Sequence, residues 1–170
     1  FLVFVDIWVP FWGGAVISRS SFTGDNSIYL STSSTISGCT FGNVSLRSML
    51  APGASSARGL KVVGNTFSTS ATGTIEFGTA VEDFEVRENT NINYLALSST
   101  STNGLVQGNA FYARLSHLTN TVLALITSAS SSRIRVIGNT FTSQLTSSDY
   151  ANSFVKLDGY DLVFATNTLK

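Results

Sequence analysis

The chain has 170 residues, ten of them acidic and ten basic, so its formal net charge is zero. Charged residues make up only 12% of the chain, which argues against an ordinary helical protein and against nucleic-acid binding through clustered Lys and Arg. One cysteine, Cys39, and one histidine, His117, exclude an internal disulfide and a typical zinc site, and we expect neither a metal nor another cofactor.

The first 14 residues, FLVFVDIWVPFWGG, are strongly apolar. The segment is too short for a membrane span, and it lacks the basic flank of a signal peptide, so we expect no membrane insertion. Its alternation predicts a strand with Ile7 on one face and Trp8 on the other. We therefore expect residues 1–14 to form an apolar strand that serves as a preceding coil, a cap or an interface.

Seven related phrases run through the rest of the chain. They are AVISRSSF (15–22), STISGCTF (34–41), LKVVGNTF (60–67), FEVRENTN (84–91), GLVQGNAF (104–111), IRVIGNTF (134–141) and LVFATNTL (162–169). The shared pattern is apolar, any, apolar, any, any, Asn, any, Phe or Leu. A period of roughly 25 residues, with turns of variable length and no helical periodicity, predicts the coils of a solenoid built from β-strands.

A second apolar alternation precedes each phrase and supplies another short strand. Examples are SIYLS with Ile28 and Leu30, TIEFG with Ile75 and Phe77, YLALS with Leu95 and Leu97, VLALI with Leu123 and Leu125, and FVKLD with Val155 and Leu157. Two short strands in each unit, with an inward period of two, predict an all-β fold. We expect a parallel β-helix of about seven coils over residues 15–170.

Each residue of the repeated phrase has a predicted place in such a coil. Asn tolerates left-handed backbone angles, and stacked Asn side chains can bond to one another as a ladder. The predicted ladder consists of Asn65, Asn89, Asn109, Asn139 and Asn167, and Cys39 takes the same position as a buried, inert thiol. Gly64, Gly108 and Gly138 relieve the backbone at the same corner. The closing Phe67, Phe111 and Phe141 are expected to stack in the core, with Ile92 as the substitute in the fourth phrase.

The phrase VVGNTF and its repeats resemble the right-handed parallel β-helix of the pectin-lyase-like superfamily, and most of all the β-helix region of bacteriophage tailspike and tail-fibre proteins. The superfamily also contains polysaccharide lyases, polygalacturonases and surface adhesins. The resemblance implies right-handed coils over most of residues 15–170. It also makes trimeric packing available, because parallel β-helices pack as trimers in viral tailspikes. From the abrupt start at Phe1 and end at Lys170 we expect either an excerpt of a longer chain or a β-helix that is capped by neighbouring subunits.

The motifs of pectate lyases and polygalacturonases are absent from this sequence. The densest acidic stretch, VEDFEVRE, offers Glu82, Asp83 and Glu85 as candidate catalytic carboxylates, since a glycosidase needs two of them about 5 to 9.5 Å apart. The alternative is a solvated turn, with Glu85 beside Lys61 across one coil step as a surface ion pair. Catalysis is therefore uncertain, and an enzyme of this kind would be a polysaccharide lyase or a glycosidase.

Outward aromatic residues are the stronger candidates for recognition. Trp8, Trp12, Tyr29 and Tyr112 could stack on sugar rings or fill a subunit interface. Longer segments after Phe111, which carry His117, and after Phe141 are predicted to form side loops. Four outward apolar residues predict an exposed stripe suited to burial against other subunits. They are Val63, Leu105, Ile137 and Val163.

Three functions follow from these observations. The first is a structural protein of a virus particle, of tailspike or tail-fibre type, that binds surface polysaccharide and forms a homotrimer or packs on other virion subunits. The second is a secreted polysaccharide lyase or glycoside hydrolase. The third is a bacterial surface adhesin or autotransporter passenger. The expected location is accordingly the virion tail, the extracellular space or a cell surface.

Overall fold

The structure, a computed structural model, describes residues 6–8, 14–69, 73–97, 100–113, 122–143 and 153–170. The described residues form strands and turns, and none of them lies in a helix. In chain order the strands are β1 (Asp6–Trp8), β2 (Val16–Ser18), β3 (Ser21–Phe22), β4 (Asn26–Leu30), β5 (Thr35–Ser37), β6 (Thr40–Phe41), β7 (Val44–Ser48), β8 (Ala57–Arg58), β9 (Lys61–Val63), β10 (Thr66–Phe67), β11 (Thr74–Phe77), β12 (Val81–Glu82), β13 (Glu85–Arg87), β14 (Tyr94–Leu97), β15 (Ser101–Gln107), β16 (Ala110–Ala113), β17 (Val122–Thr127), β18 (Ser132–Ile137), β19 (Thr140–Ser143), β20 (Ser153–Lys156), β21 (Val163–Ala165) and β22 (Thr168–Leu169).

The strands pair in parallel throughout the described residues and form four sheets. One seven-stranded sheet has the order β1-β4-β7-β11-β14-β17-β20. A nine-stranded sheet runs β2-β5-β9-β13-β15-β12-β8, with β18 on β15 and β21 on β18. Two short sheets have the orders β10-β6-β3 and β16-β19-β22. The protein is therefore all-β with parallel sheets, an arrangement compatible with a β-solenoid.

The inward rows of the two large sheets are apolar, as the alternation predicts. In the seven-stranded sheet the buried row contains Ile28, Leu46, Ile75, Leu95 and Leu125. In the nine-stranded sheet it contains Ile36, Val62, Val86, Val106 and Val136. Side chains at one position of successive strands therefore stack on each other and form a continuous core.

Two details of the seven-stranded sheet differ from the sequence prediction. Leu125 is buried and pairs with Leu95, as predicted, but Leu97 pairs with Thr127, a polar inward residue that was not predicted. The buried Thr127 hydroxyl bonds to the backbone of Asp158, which removes the cost of burying it. The strand predicted before the third phrase was given no range, and it is β7, whose apolar alternation is cut short by its polar end.

The predicted aromatic column is confirmed. Ring centroids lie 5.4 Å apart for Phe22 and Phe41, 5.1 Å for Phe41 and Phe67, and 4.6 Å for Phe111 and Phe141. Between the two parts of the column stands the buried Ile92, which bridges to Phe111. An aliphatic side chain thus fills the position where the fourth phrase lacks its Phe.

The asparagines of the repeated phrase lie in one row. Each side-chain Nδ2 donates to the Oδ1 of the next asparagine at 2.9 to 3.0 Å, in the order Asn65, Asn89, Asn109, Asn139, Asn167. Each Oδ1 also accepts a bond from the backbone N–H of the preceding asparagine. The remaining Nδ2 hydrogen is donated to a backbone carbonyl, for example from Asn109 to Val86. Buried amides with all these partners join each repeat to the next.

The row begins at Cys39, as the sequence position predicts. Cys39 is buried, and its backbone N–H donates to Asn65 Oδ1 at 2.9 Å. The residue before each member of the row has a positive φ, which is 64° at Gly64, 63° at Gly108 and 63° at Gly138. Glu88 and Thr166 adopt the same left-handed conformation at 57° and 53° without being glycine. The corner geometry is therefore imposed by the coil and is only made easier by Gly.

A second left-handed corner was not predicted from the sequence. It passes through Gly59 at a φ of 67°, Asp83 at 54°, Asn103 at 53° and Arg133 at 53°. The strands on either side pair in register, so these residues stack as a second row. Because the residue types differ in every coil, no sequence pattern marks this corner.

The predicted apolar stripe on the nine-stranded sheet is wrong. Leu105 lies between Glu85 and Arg135 in one outward row. Val63 is followed by Arg87 in the neighbouring row. Ile137 lies in the same row as Val63, where it pairs with Gln107. Val163 lies in the row of Leu105, where it pairs with Arg135. The four apolar residues occupy two rows two residues apart, and polar or charged residues separate them in each row.

Candidate functional site

The outer face of the seven-stranded sheet carries an open groove of about 450 Å³. Four of its lining residues are Tyr29 on β4, Arg47 on β7, Glu76 on β11 and Ala96 on β14. Ser48, Gly78 and Tyr94 complete the lining. The groove thus combines aromatic, charged and very small residues on neighbouring strands.

Strand register brings the first four residues together. Tyr29 pairs with Arg47, Arg47 with Glu76, and Glu76 with Ala96, so they occupy one outward row. Neighbouring strands lie about 4.8 Å apart, so the row extends over about 14 Å along the stack. The alternation that turns these side chains outward also turns Ile28 and its equivalents into the core.

Arg47 and Glu76 form an ion pair in the middle of the groove. Arg47 Nη2 lies 3.6 Å from Glu76 Oε2, and the two side chains are 43% and 36% exposed. The Thr74 hydroxyl donates to Glu76 Oε1 at 3.3 Å and lies 3.0 Å from Ser45 Oγ. These contacts orient the carboxylate from the neighbouring row while its other oxygen faces Arg47.

Tyr94 flanks the ion pair from the row of Thr74, with which it pairs. It is only 8% exposed, and burial together with the negative charge of Glu76 raises the pKa of its hydroxyl. The phenol therefore stays protonated at neutral pH, so that Tyr94 presents an uncharged side chain to the groove.

Small residues keep the groove open. A Cβ built on Gly78 would have no atom within 4 Å, so the space above this residue is empty. Ala96, at the end of the row, is 4% exposed and projects only a methyl group. A ligand can therefore lie between the two tyrosines without moving the backbone.

The groove offers two aromatic side chains and one ion pair. Glu76 is the single carboxylate among the described residues that line the groove, whereas glycoside hydrolysis requires two. Within the described ranges no three His, Cys, Asp or Glu side chains come together as a candidate metal site. Two tyrosines beside an ion pair offer flat apolar faces together with hydrogen-bonding groups, which is the combination that sugars require.

The candidate catalytic carboxylates lie elsewhere, on and beside the nine-stranded sheet, and each has a partner from a neighbouring strand. Glu82 pairs with Arg58 at 2.8 Å. Asp83 accepts a bond from Asn103 Nδ2 at 3.0 Å. Glu85 makes the predicted ion pair with Lys61, at 3.1 Å, and this expectation is confirmed.

Glu85 also contacts Arg87, whose Nε lies 2.7 Å from its second oxygen. Partial burial raises the pKa of Glu85, but hydrogen bonds from Lys61 and Arg87 outweigh it, so the pKa lies below the usual value. A carboxylate held in its ionised form by two cations is poorly suited to act as a general acid.

The candidate aromatic residues are spread over the molecule. Tyr29 lines the groove. The backbone of Trp8 on β1 pairs with that of Tyr29 on β4. Tyr112 is half-buried on β16, where it pairs with Thr142. Trp12 lies outside the described residues, as does His117.

Sequence reasoning identified one groove residue, Tyr29, and missed Arg47 and Tyr94. Tyr94 begins the alternation YLALS, and this aromatic residue at a strand start was the available signal. Arg47 gave no signal, because the strand predicted before the third phrase was given no range. The partners of Tyr29 follow only from the strand register.

The chain matches no protein-family model, no curated protein and no solved structure. No helix in the described part of the chain is both long enough and apolar enough to cross a lipid bilayer. The fold and the groove geometry are therefore the basis for any statement about function.

Proposed function

We propose that the chain is a right-handed parallel β-helix of about seven coils that binds a surface polysaccharide in the groove between Tyr29 and Tyr94. The parallel pairing of all described strands, the seven-membered sheet and the continuous asparagine row support the β-helix. The resemblance of the repeated phrase to pectin-lyase-like proteins supports the right-handed coil.

The observation that carries the binding proposal is the outward row Tyr29, Arg47, Glu76 and Ala96. A sugar ring has apolar C–H faces that stack on an aromatic ring and hydroxyls that exchange hydrogen bonds with Arg and Glu. The row is built on strands of a packed sheet, so its geometry exists before the ligand arrives. Such preorganisation lowers the entropic cost of binding.

We propose that this β-helix belongs to a virion tailspike or tail fibre, in which it acts as a homotrimer or packs on other virion subunits. The low charge of the chain and the resemblance to tailspike β-helices support this setting. Binding without cleavage fits the ion-paired state of Glu82 and Glu85. Analytical ultracentrifugation of the intact protein measures its mass in solution. The proposal requires either a mass three times that of one chain or a stable complex with other virion subunits.

A panel of immobilised bacterial capsular and lipopolysaccharide chains tests the binding. The wild-type protein should be retained on at least one of them, and the eluted chains should keep their length. Replacing Gly78→Leu fills the open space of the groove and should weaken retention at least tenfold, whereas Gly78→Ala, the matched control, should change it little. Removing the aromatic face by Tyr29→Ala should weaken binding roughly tenfold.

Retention that Gly78→Leu leaves unchanged would show that the groove is not the binding site. Shortened chains would show that the protein is an enzyme. Both results can be read with folded variants, because Gly78 is exposed and its φ is not left-handed.

A further inference from the structure

The electrical balance of the groove bears on the kind of sugar that it accepts. Among the described residues that line it, Arg47 is the one cation and Glu76 the one anion, and they lie against each other. We infer that the groove selects uncharged sugar units and discriminates against sugars that carry a carboxylate, such as uronic or sialic acids. This inference rests on the proposed function and names the ligand class of the same groove.

A carboxylate ligand would have to compete for the guanidinium. Arg47 Nη2 already faces Glu76 Oε2 at 3.6 Å, and the other oxygen of Glu76 is held by Thr74. A sugar carboxylate that approaches Arg47 therefore comes close to Glu76 as well. The carboxylates of the sugar and of Glu76 would then repel each other, and the repulsion is stronger in a partly buried site than in water.

Displacing Glu76 from Arg47 does not remove the difficulty. Thr74 anchors Glu76 from the neighbouring row, so the carboxylate stays in the groove after it loses its cation. An acidic sugar would then leave one of the two negative charges without a partner. The nearby Tyr94 supplies no positive charge, because a phenol is neutral or negative at any pH.

A neutral sugar avoids this conflict, since each hydroxyl can both donate and accept a hydrogen bond. The guanidinium carries five N–H groups and donates only, while the carboxylate accepts only, so the ion pair presents both functions side by side. Adjacent hydroxyls of one ring can bond to Arg47 and Glu76 without separating them. The C–H face of the same ring can stack on Tyr29.

The test compares matched ligands on the intact protein. A polysaccharide retained by the wild-type protein is prepared in two forms: neutral, with any carboxyl groups reduced to alcohols, and acidic, with primary alcohols oxidised to carboxylates. Affinities are measured by titration calorimetry. We expect the neutral form to bind at least tenfold more tightly than the acidic form in the wild-type protein.

The variant Glu76→Gln keeps the shape of the side chain and removes its negative charge. It should lower the ratio of neutral-form to acidic-form affinity at least tenfold, because Arg47 then meets the ligand carboxylate alone, while the neutral form loses the charged acceptor that its hydroxyls use. Thermal unfolding of the variant checks its fold. The wild-type comparison stands without it, so a misfolded variant does not remove the test.

The outcomes distinguish a failure of this inference from a failure of the proposed function. Equal or tighter binding of the acidic form by the wild-type protein, with the groove still blocked by Gly78→Leu, would overturn the inference and leave the proposed function in place. Binding of neither form, or binding that Gly78→Leu does not affect, would overturn the proposed function itself.

Discussion

Gly104 lies directly against the ring of Phe84. A Cβ built on Gly104 would come within 2.1 Å of Phe84 Cζ and 2.3 Å of Cε1, distances that no real contact allows. Gly104 lies on β15, and Phe84 directly precedes β13, the strand that pairs with β15. Both residues are buried, and the Phe84 ring also packs edge-on against Phe77 at 5.6 Å. The large side chain of one coil thus occupies the space that glycine leaves free in the next.

This relationship predicts that Gly104→Ala destabilises the protein by overpacking. The buried ring has no free direction in which to move, so we expect a loss of about 1–3 kcal/mol in the free energy of unfolding. Urea denaturation provides the measurement. Gly78→Ala is the matched control and should cost less than about 0.5 kcal/mol, because its Cβ meets nothing within 4 Å.

A second substitution checks that the contact with the ring is the cause. In a Phe84→Leu background, Gly104→Ala should cost clearly less than in the wild-type protein, since a shorter side chain makes room for the methyl group. Additive effects of the two substitutions would show that the strain has another origin.

The asparagine row predicts a large cost for breaking it in the middle. Asn109→Ala removes the acceptor for both the backbone and the side-chain N–H groups of Asn89, and the donor to Asn139 and Val86. Several buried polar groups lose their partners at once, so we expect a loss of about 3 kcal/mol or more. Chemical denaturation of both proteins at one pH measures it.

The comparison for that variant is Asn167→Ala at the end of the row. Asn167 is half-buried, and its amide donates to the carbonyl of Val136. Its Oδ1 also accepts bonds from Asn139. Because Asn167 is half-buried, we expect water to take its place, so that Asn167→Ala costs less than half as much as Asn109→Ala. Equal losses of stability in Asn109→Ala and Asn167→Ala would mean that the burial of an asparagine does not determine how much it stabilises the fold.

The left-handed corners predict one stabilising substitution. Thr166 has a φ of 53°, a conformation that a β-branched residue adopts only under strain, and its side chain is exposed. Thr166→Gly should raise the free energy of unfolding by about 0.5–1 kcal/mol, because the relief of backbone strain exceeds the entropy gained by the unfolded chain.

The same corner in the preceding coil provides the reverse experiment. Gly138 has a φ of 63°, and a Cβ there has its nearest neighbour 3.9 Å away, so its substitution tests the backbone alone. Gly138→Thr should lower stability by about 1–2 kcal/mol. A destabilising Thr166→Gly would contradict the strain argument.

The ion pairs of Glu85 predict an acid-dependent stability. Its pKa in the folded protein lies below the usual 4.5, so the native state binds its proton less readily than the unfolded chain does. The contribution of Glu85 is therefore fully present above pH 4.5 and is lost as the pH falls through the lower, folded pKa. Glu85→Gln should be less stable than wild type at neutral pH, and the difference should vanish in acid.

Thermal unfolding of both proteins between pH 7 and pH 3 follows this difference. In the Glu85→Gln background, Lys61→Met should cost less than in the wild-type protein, because the two residues share one ion pair. A difference between Glu85→Gln and wild type that stays constant over the whole pH range would rule out the titration of Glu85 as its source.

The sequence by itself determined the inward half of this protein. Every coil has to meet the same core, so the positions of Phe67, Phe141 and Asn109 recur in each phrase, and the phrase predicts the all-β fold, the aromatic column and the buried Cys39. The pattern is interrupted where another residue fills the same space in the core or where a buried polar group finds a hydrogen-bond partner. Ile92 replaces a Phe after one extra residue, and Thr127 is buried because Asp158 satisfies it.

Only the tertiary structure decided what lies side by side on the outside. Tyr29, Arg47 and Glu76 are neighbours because β4, β7 and β11 pair in one register, which depends on the lengths of the turns between them. No common core obliges the outward residues to repeat, so their sequence carries no pattern. The same reason explains why Val63 and Leu105 were wrongly placed in one apolar stripe, when the register sets them in separate rows among charged residues.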